Sequence, residues 1–251
     1  MPIRLTVALV IACCGAASAS ARPVALRSGG PIPVLVELFT SEGCSSCPPA
    51  DTLLRELIKN QPASARIIAL SEHVDYWNDL GWTDPFSAKS FTDRQIAYAK
   101  SLGVDVYTPQ VVIDGRRAVI GSSRSQVAGA ILNSAQKPEI RLSWTSADHA
   151  ALDLTVPEGA ATADATVMLA ITEDNLQNSV SRGENKGMKL AHDAVTRRLT
   201  EIGTTGQRGG FHRVVPVAEM IDRAWKPAGL HMVVFVQNRA GVAAVETLAF
   251  K

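Results

Sequence analysis

The placement of the cysteines restricts this chain more than any other feature. Cys13 and Cys14 lie in an apolar N-terminal leader, and the other two stand as Cys44-Ser45-Ser46-Cys47. Once the leader is gone, no disulfide can tie distant segments together. Closing so short a loop is worth only about 2 kcal/mol of chain entropy. The fold must therefore rest on an apolar core, and the pair is better placed for chemistry than for stapling.

The leader sets the compartment. Met1 to Arg4 give a short basic start, Leu5 to Ala12 an apolar run, and Ala19-Ser20-Ala21 a small-residue cleavage site. That run is far shorter than the ~20 residues of a spanning helix, so residues 1–21 are expected to be a signal peptide. A competing reading takes Val10-Ile11-Ala12-Cys13 as a lipoprotein signal with Cys13 lipidated. Both put the mature chain in the periplasm or outside, where thiol pairs can be oxidised.

Hydrophobic residues make up 46% of the 251 positions and charged residues 20%, a globular balance with ample material for a core. The formal net charge of +1 gives no electrostatic case for nucleic acid or an anionic membrane surface. No apolar stretch after the leader is long enough to span a bilayer.

Two rhythms divide the body. Val34 to Phe39 reads as a buried strand, Ala50 to Lys59 as a helix with Leu53, Leu54, Leu57 and Ile58 on one face, and Arg66 to Leu70 as a second strand. Ser87 to Leu102 reads as a helix with Phe91, Ile96, Ala97 and Leu102 inward and Gly103 as its stop. Gln110 to Ile113 and Ala118 to Ile120 flank Asp114-Gly115 as a hairpin, and Ser123 to Gln136 closes the half as a helix. After Lys137-Pro138 short alternating runs follow without crossover helices, the mark of an antiparallel sandwich. The expectation is an α/β domain over residues 31–136 followed by a mostly antiparallel β-sandwich-like domain over 138–251.

The first strand delivers Cys44 to the start of a helix, where unpaired amides and the positive end of the helix dipole favour a thiolate. The two-residue spacer lets Cys47 attack a mixed disulfide formed at Cys44. Cys44 is therefore expected to be the exposed nucleophile and Cys47 the shielded resolving thiol. Glu42 works against a thiolate at Cys44, whereas the Ser45 and Ser46 hydroxyls are available as donors. The segment from His73 to Phe86 is rich in aromatics. It reads as a lip over Cys44 with His73 as proton shuttle and Trp77 as a wall, or as a packed insertion. The histidines of the second half show no paired ligand spacing, and Asn178 to His192 reads as a loop that either reaches across to the first domain or is solvated, the latter being the default.

Well downstream, Tyr107-Thr108-Pro109-Gln110-Val111-Val112-Ile113 places a proline just before a strand. The strand–CxxC–helix context together with this proline resembles the thioredoxin superfamily and its cis-proline loop. The resemblance implies a thioredoxin-like first domain, a loop packed beside the cysteines, and a Thr108 backbone that pairs with substrate. Glu37 to Asp51, His73-Val74-Asp75-Tyr76-Trp77-Asn78 and Arg182-Gly183-Glu184-Asn185-Lys186-Gly187 with His192 resemble an uncharacterised proteobacterial family of secreted thioredoxin-like proteins. That likeness covers nearly all the mature chain and implies redox chemistry with no substrate assigned. Gly43 replaces the tryptophan usual in that superfamily before the first cysteine, which predicts open space beside the thiol for a bulky partner.

Three functions follow. The first is thiol–disulfide exchange with protein or peptide thiols through Cys44 and Cys47, with Thr108, Pro109, His73 and Trp77 facing substrate, no cofactor, and an electron partner the sequence does not name. The second is soft-metal handling, copper above all, through the two sulfurs and His73. The third is a non-catalytic binding protein with a vestigial cysteine pair.

Overall fold

A computed structural model describes residues 30–250. The leader, its cleavage site and Cys13 lie outside the described residues. β1 (Ile32–Thr40) is buried along nearly its whole length, including Glu37, whose carboxylate accepts from Arg94 and Tyr98. It pairs in parallel with β2 (Ala65–His73), from Ile32↔Ala65 to Thr40↔His73. The crossover between them is α1 (Pro48–Lys59), which buries Leu53 and Leu54. α2 (Lys89–Leu102) buries Phe91, Gln95, Tyr98 and Ala99 and stops at Gly103 in the left-handed region, φ 66°. Its buried face is rotated from the expected one: Ile96 is 49% exposed, because Gln95 turns inward to bond Tyr107 O and Gln110. β3 (Gln110–Ile113) runs antiparallel to β1 and forms a hairpin with β4 (Arg117–Ile120), and α3 (Arg124–Leu132) follows.

The second half supplies β5 (Arg141–Trp144), β6 (Ala151–Val156), β7 (Thr166–Glu173), β8 (Leu176–Ser179), β9 (Lys189–His192), β10 (Val195–Thr204), β11 (Phe211–Pro216), β12 (Leu230–Asn238) and β13 (Gly241–Ala249). The expected division into a thioredoxin-type α/β domain and a separate sandwich does not hold. One mixed eight-stranded sheet, in the order β13-β12-β7-β10-β2-β1-β3-β4, runs through both halves, with only three α-helices among the described residues. The junction is narrow. Val195 of β10 pairs with Ser71 of β2, and the Ser71 amide donates to Ala194 O at 2.8 Å.

A three-stranded sheet, β11-β6-β5, covers one face of the second half, where Leu152, Leu154 and Ile140 pack on Leu169, Ile171 and Met232. The other face closes on the first half. Phe235, Val233 and Val245 share a cluster with Leu35, Ile68 and Leu70. β12 and β1 stand four strands apart in the sheet order, so their contact requires the sheet to coil back on itself, an extreme of ordinary strand twist.

Candidate functional site

Past Thr40 the chain leaves β1 in a tight turn, and Cys47 becomes the N-cap of α1. Cys44 lies one turn ahead of the helix, with the Cys47 amide donating to Cys44 O at 3.2 Å. The two sulfurs form a disulfide, with Cα atoms 5.4 Å apart. Both cysteines are fully buried, against the expectation of an exposed Cys44. A partner reaches the sulfur of Cys44 only after its cover moves.

The expected cradle of helix amides is also missing. Pro48 and Pro49 have no N–H to offer, and the Ala50 and Asp51 amides both donate to Cys47 O. The Ser45 amide is taken by Glu184 Oε2 at 3.1 Å. Hydroxyls face the sulfur instead. Thr108 Oγ1 donates to Cys44 Sγ at 3.4 Å, and Ser46 Oγ lies 3.4 Å from the same atom. Trp77 Nε1 donates to Thr108 Oγ1 at 2.9 Å, which uses an acceptor position of that hydroxyl and leaves its hydrogen available to the sulfur.

The peptide bond Thr108–Pro109 is cis. The Pro109 ring lies near the start of α1: a Cβ placed on Gly121 would meet Pro109 Cβ at 3.2 Å and Ala50 Cβ at 3.3 Å. The structure thus brings Cys44, Cys47, Thr108, Pro109 and Trp77 together. Gly43 does not open space for a partner. A Cβ there would stand 3.0 Å from Trp77 Cβ, so the glycine is what lets the tryptophan close over the turn.

His73 is placed differently. It is fully buried, with Nδ1 2.7 Å from Asp84 Oδ2, inside a polar chamber behind the turn. Glu42 points into this chamber, not at Cys44. Its carboxylate accepts from Trp82 Nε1 and Asn178 Nδ2, each at 2.9 Å, and lies 3.2 Å from His192 Nε2. Asp51, one helical turn after Cys47, accepts from Thr40 Oγ1 at 2.9 Å and stands 4.0 Å from His192 Nδ1. Burial raises the Asp51 carboxyl above its usual range despite the opposing pull of His192 and His73. At His73 burial acts downward, but the Asp84 carboxylate prevails and the imidazole is raised.

The segment read by default as a solvated loop is instead a strap. β8 and β9 pair as a hairpin whose tip crosses to the cysteine turn. There Asn185, itself buried, donates from Nδ2 to Glu42 O at 2.8 Å and to Cys44 O at 3.0 Å. Asn185, Glu184, His192 and Asp51 were named from sequence only within the segments of the family likeness, with no role at the site assigned to them. A buried acid such as Glu42 also needs a partner, which was a second signal. Among the described residues no group of three or more His, Cys, Asp and Glu is arranged to hold a metal ion. A cleft of about 970 Å³ lies elsewhere, between α2 and the second half, lined by Arg94, Met168, Leu199 and Gln237.

With this geometry in hand, residues 35–237 match the family described as protein of unknown function, DUF1223. The chain belongs to the DUF1223 family. The match takes in the cysteine turn, the Thr108–Pro109 loop and the strap, so the assembled site lies within the family's own span. No curated protein matches the chain. Among solved structures it is similar to a crystal structure of a protein from Agrobacterium tumefaciens, at 27% identity and a TM-score of 0.68 over 89% of this chain and 97% of that one. It is also similar in fold to HBP35 of Porphyromonas gingivalis, at 13% identity and a TM-score of 0.60 over 89% of this chain and 77% of that one.

Proposed function

We propose that this DUF1223 protein is an exported thiol–disulfide oxidoreductase that exchanges disulfides with protein or peptide thiols through Cys44 and Cys47. The observation that carries the reading is the chain of donors from Trp77 Nε1 to Thr108 Oγ1 to Cys44 Sγ. A hydroxyl held against Cys44 Sγ stabilises the Cys44 thiolate that is released when the mixed disulfide is resolved and that attacks a partner in the oxidising direction.

In this reading a partner thiolate displaces the cover formed by Trp77 and the strap and attacks Cys44 Sγ. The electron pair of the Cys44–Cys47 bond leaves on Cys47 and a mixed disulfide remains. A second partner thiol then attacks its own sulfur in that mixed disulfide and releases Cys44 as thiolate. Two electrons pass from the partner to the pair, and the reverse sequence oxidises a partner dithiol. The N-terminal leader supports export to a compartment where such pairs cycle.

The test is exchange with a dithiol-containing peptide across buffered ratios of reduced and oxidised glutathione, alongside Cys47→Ser. The expected results are reversible titration of the pair in the wild type and stable mixed disulfides on Cys44 in the variant. Absence of both sinks the reading.

A further inference from the structure

The chamber behind the cysteine turn contains more titratable groups than its hydrogen bonds use. Glu42, Asp51, His73, Asp84 and His192 are all buried. Each imidazole has one nitrogen on a carboxylate, His73 Nδ1 on Asp84 and His192 Nε2 on Glu42. The other nitrogens, His73 Nε2 and His192 Nδ1, are buried without any hydrogen-bond partner. The rings meet edge to face at 4.9 Å, with Phe86 packed on both.

Leaving a buried nitrogen unpartnered is costly, and two on neighbouring rings call for a use. Among the described residues these three carboxyls and two imidazoles make no ion pair with a Lys or Arg. Arg197 lies over the Phe86 ring at 5.4 Å. Next to His192, Asp193 is bonded outward to Arg55. Full charge on all five groups would leave one net negative charge out of water, so the cluster is suited to retaining protons.

Opening the neighbouring disulfide creates a need for one. The sulfur that leaves is Cys47, fully buried at the N-cap of α1 with no path to bulk water while the strap is closed. Asp51 stands at the i+4 position on the same helix, where side chains of successive turns face each other. Its carboxyl faces Thr40 and the free Nδ1 of His192.

We propose that Asp51 is the acid–base group for Cys47 and that His192, contributed by β9 in the second half, positions and reprotonates it. This inference rests on the exchange reactivity assigned to the pair. When a partner thiolate attacks Cys44, the Cys44–Cys47 bond breaks and the Cys47 thiolate takes a proton from the Asp51 carboxylic acid. The Asp51 carboxylate then accepts a proton from His192 Nδ1. In the oxidising direction Asp51 removes the Cys47 proton as the thiolate closes on Cys44. Burial raises the Asp51 carboxyl, which favours the protonated form that a proton donor needs. The second half is thereby part of the reaction machinery, not an appendage.

The test is the rate of disulfide opening by dithiothreitol between pH 5.5 and 8.5, corrected for its thiolate fraction, in the wild type, Asp51→Asn and His192→Gln. Asp51→Asn is expected to slow opening about tenfold at neutral pH and to flatten the corrected profile. His192→Gln is expected to move the profile's midpoint by about one unit while opening persists. A solvent isotope effect of about twofold on the wild-type rate provides a second measurement should either variant fail to fold. Unchanged corrected profiles in folded variants, or no isotope effect in the wild type, overturn this inference but not the exchange reading. A wild-type pair that never opens overturns the exchange reading itself.

Discussion

Cys44 is flanked by side-chain hydroxyls because the backbone around it is already committed. With the Ser45 amide on Glu184 and the Ala50 and Asp51 amides on Cys47 O, Thr108 Oγ1 is the aligned donor to Sγ. A hydrogen bond to a charged acceptor contributes roughly 1.5–3 kcal/mol, which is about one to two pKa units. Thr108→Val removes it while keeping the shape, so the Cys44 thiol is expected to titrate higher by that amount, since the lost donor favoured the charged form. Thr108→Ser should restore most of the shift. Alkylation of Cys44 by iodoacetamide against pH, in a Cys47→Ser background, reads the midpoint directly; a midpoint that Thr108→Val leaves in place refutes the role. Thr108 and the proline after it were legible in the sequence as a loop belonging beside the cysteines. Which atom of Thr108 mattered was not, because Trp77 engages the hydroxyl from 31 positions away.

Among the elements, the hairpin of β8 and β9 is the one expected to control access. Its tip holds the cysteine turn through two Asn185 bonds and the Glu184 carboxylate. Two net hydrogen bonds of roughly 0.5–1.5 kcal/mol each imply that Asn185→Ala eases opening by about 5- to 160-fold. The expected outcome is faster reduction of the disulfide by tris(2-carboxyethyl)phosphine at unchanged thermal stability of the β-sheet body. A rate equal to that of the wild type would show that the strap is not the cover. This hairpin was invisible in the sequence for a physical reason. Leu176-Gln177-Asn178-Ser179 lacks β-branched residues, and Asn178 and His192 face inward to bond Glu42, not to fill an apolar core. Strands that bury apolar side chains, such as β1, β2, β7 and β12, were readable because alternation or a continuous apolar run records which face is covered. α2 shows the same limit in a helix: its inward Gln95 serves backbone and side-chain partners 12 and 15 positions on, so a hydrophobic stripe alone misplaces the buried face.

For the whole molecule, the change of rhythm at Lys137 was real, yet it does not separate two cores. Lys137 itself is buried, with Nζ on Asp114 Oδ2 at 2.7 Å and on Pro33 O at 2.8 Å. The pairing that joins β10 to β2 amounts to Val195 and Ser71, too small a feature to leave a pattern in either strand. Packing is what binds the halves. Leu35, Ile68 and Leu70 are at most 3% exposed, and the side chains covering them include Val233, Phe235 and Val245 from β12 and β13. Exposing three such residues forfeits roughly 1.5–3 kcal/mol each, a loss comparable with the roughly 5–15 kcal/mol that holds an ordinary domain together. It would also leave β2 as a bare apolar edge, a template for association. Residues 30–137 expressed alone are therefore expected to give no cooperative thermal transition by near-ultraviolet circular dichroism and to elute as aggregates on size exclusion, whereas residues 30–251 unfold in one step. A monomeric 30–137 fragment with a sharp transition would mean that the coiled sheet is two independent bodies in contact, and that His192 reaches Asp51 across an interface the first half does not need in order to fold.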